Sequence, residues 1–250
     1  MKAVVVGASS GLGRCIGIGL AQRGAHVALL ARRREMLDAA AKEAGGDTLA
    51  IACDAADEAS GAAAIAEAAE GLGGIDALVY APAIGPLARL VDTDADTWRR
   101  TFDTNVIGAA IITSAAIPHL TASGGAVAYL SSTSASLTSP LPGLGAYAVS
   151  KAALDKLVEA WRMEHPTVAF SRVVVGDCAG GEGDAMTQFA NNWDPDLAMA
   201  LGPEWVALNL ISGSLIDVDH LVTVVDAVLR GGNSLSIPSI TVAPRPVAPS

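Results

Sequence analysis

A glycine-rich loop near the start of the chain constrains its fold more than any other feature. The loop, Gly7-Ala8-Ser9-Ser10-Gly11-Leu12-Gly13, follows a short apolar run and opens a longer helical pattern. Glycines let the backbone turn tightly and approach a diphosphate, whose negative charge is stabilised at the N-terminus of a helix. The spacing G-x-x-x-G-x-G departs from the more familiar G-x-G-x-x-G, and a tight packing turn is the alternative interpretation. The residues expected to contact a dinucleotide here are Gly7, Ser9, Ser10, Gly11, Leu12 and Gly13.

Short apolar runs and helical patterns alternate along the rest of the chain, which is the pattern of βαβ units. Several runs are almost continuously apolar, as expected when helices cover both faces of a parallel sheet. The sequence therefore predicts an α/β fold with one domain over residues 1–250. Its core would be a Rossmann-like, doubly wound, parallel seven-stranded sheet with helices on both faces. Pro238 lies in the last predicted strand, which should be an edge strand because proline cannot donate to a sheet ladder.

The boundaries of the expected elements follow from the apolar runs and the turn residues between them. The predicted strands are Ala3–Val6, His26–Leu30, Thr48–Ala52, Ala77–Tyr80, Ala126–Leu130, Ala169–Val175 and Ile237–Val242. The predicted helices are Gly11–Arg23, Arg34–Ala44, Ser60–Glu70, Asp94–His119, Tyr147–Glu164 and Asp219–Leu229. The long fourth helix has a capping-box pattern, Thr93-x-x-Asp96, at its start.

Residues 177–214 interrupt the regular alternation. Glycines in this segment stand beside bulky apolar residues, which favours a mobile substrate-binding lid over an apolar pocket. The alternative is an ordinary helical insertion. The glycines are Gly180, Gly181 and Gly183, and the bulky residues are Met186, Phe189, Trp193, Met199 and Trp205. Residues 243–250 contain three prolines and are predicted to form an extended tail.

The composition limits the kinds of binding partner that the chain can have. Hydrophobic residues make up 51% of the chain and charged residues 17%, which favours a large buried surface that includes subunit interfaces. We therefore expect a homodimer or a homotetramer. The formal net charge of −10 argues against nucleic acid and anionic membrane surfaces as partners. No uninterrupted apolar run approaches the ~20 residues that a membrane helix needs.

The cysteines and histidines predict a cytoplasmic protein without a metal site. Three cysteines lie far apart, which suits a reducing compartment. Four scattered histidines lack the spacing of metal ligands. The N-terminus also lacks the apolar region and cleavage site of a signal peptide.

Arginines follow the second predicted strand, where a dinucleotide-binding fold selective for NAD usually has an acidic residue. The segment is Ala31-Arg32-Arg33-Arg34, and guanidinium groups suit a 2′-phosphate in both charge and geometry. NADP(H) is therefore the preferred cofactor, although NAD(H) is possible. Arg32 is the first candidate ligand and Arg33 the second, while Arg34 should begin a helix and face solvent. A basic, solvated start of that helix is the alternative.

Tyr147 and Lys151 stand four residues apart at the start of a predicted helix. Residues with this spacing share one helix face. A neighbouring ammonium favours the phenolate, so Lys151 should lower the pKa of Tyr147 towards neutral pH. The pair is thus a candidate acid/base, and an aromatic anchor covered by a lysine is the alternative.

In the order and separation of these residues, the chain resembles the short-chain dehydrogenase/reductase family, in its short single-domain branch. Besides the glycine loop and the Tyr147–Lys151 pair, the resemblance rests on Asp54, Asn105 and Ser131-Ser132. It implies that Tyr147 is the acid/base, that Lys151 binds the nicotinamide ribose, and that Ser132 holds the substrate oxygen. Asn105 would support a water chain.

Two of these residues have alternatives. Ser134 has the usual separation from Tyr147, whereas Ser132 requires an insertion within Leu137–Gly145, and Ser132 is preferred. Asp54 could accept a hydrogen bond from the adenine or simply cap the next turn.

The chain departs from the family in two loops. Tyr80-Ala81-Pro82-Ala83 replaces the family's Asn-Asn-Ala-Gly, and Ala81 is the candidate cofactor contact there. Gly176-Asp177-Cys178-Ala179-Gly180 replaces its Pro-Gly, and Thr187 is the candidate for its threonine contact.

The sequence therefore predicts an NADP(H)-dependent oxidoreductase that interconverts a carbonyl and a secondary alcohol on a small, fairly apolar substrate. The alternatives are a non-catalytic nucleotide-binding regulatory protein on the same fold, and an epimerase or dehydratase.

Overall fold

A seven-stranded parallel sheet forms the centre of the computed structural model, which describes residues 1–211 and 213–245. The strands are β1 Lys2–Val6, β2 His26–Ala31, β3 Leu49–Ala52, β4 Ala77–Tyr80, β5 Ala126–Ser132, β6 Ala169–Val175 and β7 Ser239–Val242. The helices are α1 Gly11–Gln22, α2 Arg34–Ala44, α3 Glu58–Leu72, α4 Ala95–Phe102, α5 Gly108–Ser123, α6 Gly145–Glu164, α7 Pro195–Ala207 and α8 Val218–Leu229. The predicted fold class is confirmed.

The strand order is β3-β2-β1-β4-β5-β6-β7. The chain runs outward from β1 to β3, returns to the middle at β4 and then proceeds to the opposite edge. The direction of winding thus reverses between β1 and β4, where Ala3 pairs with Ala77 and Val6 with Tyr80. Such a switch point leaves a crevice at the carboxyl ends of the strands, and ligands bind there in open α/β sheets.

Alternate residues of each strand supply two separate cores. In β1, Ala3 and Val5 pack towards α1, α2 and α8, whereas Val4 and Val6 pack towards α3, α5 and α6. This division follows from the two-residue period of a strand, whose successive side chains point to opposite faces. Because both faces are covered, the strands tolerate the continuous apolar runs seen in the sequence.

The predicted fourth helix is divided in the structure. Helix α4 ends at Phe102, a π-turn spans Asp103–Ile107, and α5 begins at Gly108. The helical conformation continues through residues 95–123, as the predicted long helix requires, but the wider turn brings the Thr104 carbonyl to the Tyr80 hydroxyl, which donates to it at 2.6 Å.

The predicted capping box, Thr93-x-x-Asp96, is wrong. The N-cap is Asp94, whose carboxylate accepts a hydrogen bond from the Thr97 N–H at 2.7 Å. Thr93 instead donates its hydroxyl to the Arg89 carbonyl at 2.9 Å.

The last strand lies at the sheet edge, as Pro238 predicts, but it begins at Ser239, two residues later than predicted. Proline has no N–H for the ladder, and only its carbonyl pairs, accepting from Arg172 N at 3.1 Å. Residues 246–250 of the predicted tail lie outside the described residues.

One helical stretch, Ala95–Ser123, is long and apolar enough to cross a membrane by length and composition alone. It comprises α4, the π-turn and α5. Its residues Ile112, Ala116 and Leu120 are buried in the core shared with α3 and α6. Core helices of α/β proteins meet the same two criteria.

Candidate active site

The glycine loop brings the backbone of β1 and the N-terminus of α1 close together. A β-carbon at Gly13 would overlap the carbonyl oxygen of Gly7, so only glycine fits this close approach. Ser10 is the N-cap of α1, but its side chain does not cap the helix, and the first turn holds no acidic residue. The N–H groups and the positive end of the helix dipole at this terminus are therefore available to an anion.

Two cavities meet at this loop. The larger has a volume of about 310 Å³ and extends from the glycine loop past Tyr147 and Lys151 to Phe189. The smaller, of about 150 Å³, is lined by Arg32, Arg33 and Asp54. Both are lined by Gly7, Ala81 and Ala83, so they form two ends of one continuous crevice at the switch point. We call them the reaction cavity and the adenosine cavity.

Arg33 is the arginine that contacts the loop. Its Nη2 donates to Ser10 Oγ at 2.6 Å and to Ser9 Oγ at 2.8 Å, and its Nε donates to Ser9 at 3.2 Å. Arg32 is exposed and lines the same cavity. The partial burial of Arg33 lowers the pKa of its own guanidinium, and the positive charge of Arg32 lowers it further. Arg34 begins α2, pairs with Asp38 at 2.9 Å and lies on the exposed surface, as expected.

Asp54 has the turn-stabilising role, whereas its hydrogen bond to an adenine stays a prediction. Its Oδ1 accepts from Ala56 N at 3.1 Å, which stabilises the turn after β3, and the residue also lines the adenosine cavity. In the altered loop after β4, Ala81 lines both cavities. Pro82 packs so closely that a β-carbon at Gly7 would lie 2.9 Å from its nitrogen.

Helix α6 carries the acid/base candidates into the reaction cavity. It begins at Gly145, two residues before Tyr147, so that Tyr147 and Lys151 lie one turn apart on the same face. The Lys151 ammonium lies 5.8 Å from the centre of the Tyr147 ring and donates to the Leu130 carbonyl at 2.7 Å. Lys151 is buried, with 2% of its surface exposed.

The two serines after β5 occupy different places relative to Tyr147. Ser132, the last residue of β5, forms a hydrogen bond with Tyr147 that lowers the pKa of the phenol. Ser134 lies behind it, with its hydroxyl 2.9 Å from that of Ser132 and its N–H donating to Ser132 Oγ at 3.2 Å. Ser132 therefore lies between Ser134 and the phenol.

Burial is the main cause of the pKa shifts of both Tyr147 and Lys151. It raises the pKa of Tyr147 above its ordinary value, and the hydrogen bond from Ser132 opposes this effect. Burial also lowers the pKa of Lys151 to about 8. The expectation that Lys151 lowers the pKa of Tyr147 is wrong for this structure, because its ammonium is directed to the Leu130 carbonyl and desolvation of the phenol is the dominant cause.

Asn105 is a buried residue of the π-turn and ties two parts of the site together. Its Oδ1 accepts from Ile84 N at 2.8 Å, and its Nδ2 donates to the Ile84 carbonyl at 2.9 Å and to Ser150 Oγ at 2.8 Å. The side-chain amide thus fixes the altered loop after β4 against α6. Its support of a water chain stays a prediction.

Aromatic side chains close the far end of the reaction cavity. The ring of Phe189 packs edge-on against Tyr147, with centres 4.9 Å apart, and it contacts Trp193, which in turn contacts Trp205. The indole nitrogens donate to the carbonyls of Gly85 and Pro142 at 2.7 and 2.8 Å, so the indoles turn apolar surfaces inward. We call Tyr147, Phe189, Trp193 and Trp205 the aromatic ladder.

Residues 177–214 therefore cover the cavity as a lid would and also contain helix α7, as the alternative expected. The mobility of this lid segment stays a prediction. The first residue of the segment, Asp177, is fixed by a backbone hydrogen bond, in which Ile216 N donates to the Asp177 carbonyl at 2.8 Å. Thr187 lines the cavity next to Gly11, which is compatible with the expected threonine contact.

Three residues of this wall are not predicted from the sequence. Leu141 and Leu144 line the cavity, and Gly85 lies under Phe189, where a β-carbon would overlap the ring. The Pro- and Gly-rich stretch at 140–145 was a visible sign of an unusual loop, but no local pattern indicates which side chains it presents.

The crevice fits a dinucleotide on three observations. The free N-terminus of α1 suits a diphosphate, the smaller cavity offers two guanidinium groups and Asp54, and the larger cavity places Lys151 and Tyr147 beyond the glycine loop. Together with the doubly wound sheet, this arrangement defines a protein of the dinucleotide-binding α/β class.

Comparison with known proteins assigns the family. The profile of the short chain dehydrogenase family matches residues 1–194. The chain belongs to the short-chain dehydrogenase/reductase family, as its motifs predict. Human dehydrogenase/reductase SDR family member 4 is 32% identical over 166 residues, which cover 65% of this chain and 59% of that protein. Glycine betaine reductase ATRR of Emericella nidulans is 32% identical over 219 residues, covering 84% of this chain and 17% of that protein.

The chain thus spans less than two thirds of the length of these relatives. Among solved structures, a dehydrogenase/reductase from Sinorhizobium meliloti 1021 has a TM-score of 0.79 at 28% identity, with 96% of this chain and 92% of that chain covered. An alcohol dehydrogenase from the archaeon Thermococcus sibiricus, complexed with 5-hydroxy-NADP, has the same fold, with a TM-score of 0.80 at 22% identity. That match covers 96% of this chain and 94% of the other.

Proposed function

We propose that this protein is an NADP(H)-dependent oxidoreductase that interconverts a carbonyl and a secondary alcohol on a small, apolar substrate. The observation that carries the proposal is the position of the Tyr147 phenol. It is hydrogen-bonded to Ser132, lies beside Lys151 and opens into the cavity that begins at the glycine loop.

The side chains divide the chemistry as follows. In reduction, Tyr147 donates its proton to the substrate oxygen, and in oxidation it takes the proton back. Ser132 donates a hydrogen bond to the same oxygen and stabilises the charge that develops there. When bound, the nicotinamide supplies or accepts the hydride. Lys151 binds the nicotinamide ribose and keeps positive charge beside the phenol. Asn105 holds the loop and α6 in register and supports the water chain that returns the proton.

The preference for NADP(H) is supported by the adenosine cavity. Arg33 is held at the edge of the glycine loop by Ser9 and Ser10, and Arg32 lines the same cavity. No acidic residue occupies the end of β2, where a 2′-hydroxyl would need an acceptor. A guanidinium paired only with hydroxyl groups is free to bind a phosphate, which would relieve the repulsion between the two arginines.

The apolar substrate is supported by the wall of the reaction cavity. Its far end is formed by Leu141, Leu144 and Phe189, and the two indole N–H groups behind them are already bonded to backbone carbonyls. Lys151 is the only lysine or arginine among the described residues that line the cavity. A strongly anionic substrate would therefore lack a partner beyond the groups that serve catalysis.

We further propose a homodimer or homotetramer in the cytoplasm. Ile107 and Val149 are 47% and 48% exposed on the π-turn and α6, and a second copy would cover such apolar residues. The three cysteines are free, as in a reducing compartment. Light scattering and cell fractionation test these two points.

A panel of matched substrates tests the function. The purified protein should oxidise NADPH with neutral aryl-alkyl ketones and form one carbinol per NADPH. The same ketones carrying a carboxylate should react far more slowly, because the cavity offers no further cation. Net NADPH consumption excludes an epimerase or dehydratase, and absence of turnover with every carbonyl would favour a non-catalytic nucleotide-binding protein. Turnover restricted to charged substrates would overturn the apolar assignment.

Replacement of the phenol tests its role. Tyr147→Phe should lower kcat about 1,000-fold, the scale of general acid catalysis, while NADPH affinity stays largely unchanged. Stopped-flow measurement of NADPH oxidation, with fluorescence titration for affinity, separates the two quantities. Retention of most of the activity would contradict the mechanism.

A further inference from the structure

Helix α6 carries a buried carboxylate one turn beyond Lys151. Asp155 follows Lys151 by four residues, so the two lie on the same helix face, and only 6% of Asp155 is exposed. Burying a carboxylate is costly unless opposite charges or hydrogen bonds compensate it. The position of Asp155 behind the site therefore needs a physical reason.

The partners of Asp155 lie on two sides. On one side, the Arg172 Nη1 on strand β6 lies 3.7 Å from Oδ2 of Asp155 and donates to Glu159 at 3.3 Å. The other oxygen, Oδ1, has no hydrogen-bond partner among the residues that the structure describes. The result is a line of alternating charges: Lys151, Asp155, Arg172 and Glu159. It starts at the reaction cavity and ends at the surface, where the Glu159 side chain is 39% exposed.

The charge state of Lys151 is tied to Asp155, because the group to which its ammonium donates is a neutral carbonyl. Its ammonium has one hydrogen bond, to the Leu130 carbonyl, and burial lowers its pKa to about 8. The negative charge of Asp155 is the influence that raises it again. The surrounding polar groups are Tyr147 and Asp155 on α6, Arg172 on β6, Ser131, Ser132 and the neutral Tyr129 on β5, and Asn105 in the π-turn. Asp177 also lines the reaction cavity, but Asp155 is the acidic residue whose charge acts on Lys151.

We propose that Asp155 is a positioning residue whose buried carboxylate, one helix turn beyond Lys151 and paired with Arg172, keeps the Lys151 ammonium charged inside the protein. Asp155 touches neither substrate nor cofactor and acts through Lys151. Its anchoring by Arg172 keeps the carboxylate ionised and in place, while Glu159 compensates the guanidinium at the surface. The inference rests on the proposed function for its catalytic meaning, but the charge of Lys151 is measurable without turnover.

The direct test is a titration of Lys151 by nuclear magnetic resonance. The lysines of the chain are Lys2, Lys42, Lys151 and Lys156, so side-chain-labelled lysine gives a simple spectrum, and Lys151→Met assigns the buried signal. Asp155→Asn removes the negative charge and favours the neutral amine. The titration midpoint of Lys151 should therefore fall by roughly one pH unit, as expected for charges several ångströms apart in a protein.

Two variants serve as controls. Asp155→Glu retains the charge and should keep the midpoint near that of the wild type. Glu159→Gln removes the exposed carboxylate from the same Arg172 and should leave the midpoint unchanged. If Asp155→Asn does not fold, Asp155→Asn/Arg172→Gln also removes the guanidinium that would be left unpaired, and its midpoint should still fall. An unchanged or higher midpoint in a folded variant that lacks the carboxylate overturns the proposal.

Activity supplies a second readout that is separate from the proposed function. In carbonyl reduction, the alkaline limb of the kcat profile should move to lower pH in Asp155→Asn, by about the shift of the titration midpoint. If the wild type consumes no NADPH with any carbonyl, the proposed function fails while the titration still tests Asp155. If the wild type is active but the limb of Asp155→Asn stays in place, the catalytic role of Asp155 fails.

Discussion

The two cavities of the crevice are built in different ways. The adenosine cavity is formed by residues that directly follow β1, β2, β3 and β4, so each side chain is placed by the strand that precedes it. The far wall of the reaction cavity brings together three distant parts of the chain: the Leu144 and Phe189 side chains line it, and the backbone at Gly85 packs under the Phe189 ring. One end of the site is local in sequence, and the other is assembled by tertiary packing.

This difference has a functional consequence. Under the proposed function, the glycine loop and the strand ends bind the cofactor, which is the same in every reaction, and this binding needs only a few backbone contacts and charges. The aromatic ladder depends on the joint positions of a loop, the start of α6 and the lid segment. Changes in the first region should alter cofactor binding in one simple direction, whereas changes in the second should alter stability and substrate range together.

After the loss of the Tyr147 phenol itself, the largest effect is expected in the reaction cavity, at the serine pair. Ser132→Ala should lower kcat about 100-fold, because a donor to the developing charge on the substrate oxygen is lost. Ser134→Ala should change kcat far less, since among the described residues the Ser134 hydroxyl hydrogen-bonds to that of Ser132 and not to the phenol. Steady-state kinetics with NADPH and a neutral ketone measures both variants, and a larger loss in Ser134→Ala would identify Ser134 as the catalytic serine.

A smaller effect is expected in the adenosine cavity. Arg33→Ala should weaken NADPH binding about 10- to 100-fold, the value of one or two hydrogen bonds to a charged group, and leave NADH binding nearly unchanged. Calorimetric titration measures both affinities. Arg34→Ala is the matched control, because Arg34 pairs with Asp38 outside the cavity. Equal losses for NADPH and NADH in Arg33→Ala would contradict the 2′-phosphate assignment.

The last effect is expected beside the aromatic ladder, and it acts on the stability of the fold rather than on cofactor binding. Gly85→Ala should destabilise the fold by about 1–3 kcal/mol, because its β-carbon would overlap the ring of Phe189 and displace it from Tyr147. Thermal unfolding measures the loss, and KM for an aryl ketone should rise in the same variant. Gly202→Ala is the control, because a β-carbon there meets open space within α7. Equal free energies of unfolding for Gly85→Ala and Gly202→Ala would contradict this prediction and show that the Phe189 ring can move without cost.

The same contrast explains how much the sequence could predict. The seven strands, the glycine loop and the position of Arg34 follow from local patterns, and the structure has them at nearly the predicted residues. The π-turn at Asn105 was not predictable, because it follows from contacts between Tyr80 and Thr104 and between Asn105 and Ile84, which are far apart in the chain. The raised pKa of Tyr147 does not follow from local patterns either: helical spacing gives the neighbour of the phenol, but burial depends on residues distant in sequence, such as Phe189.

Transfer of a labelled hydride tests the central claim, that the crevice is one NADPH-dependent carbonyl reductase site. The protein is incubated with a neutral aryl-alkyl ketone and NADPH deuterated at C4 of the nicotinamide, separately on each face, and the carbinol is analysed by mass spectrometry. The account predicts one deuterium per carbinol from one of the two cofactors, with product formation almost lost in Tyr147→Phe. Carbinol without deuterium from either cofactor, or undiminished formation in Tyr147→Phe, would contradict it.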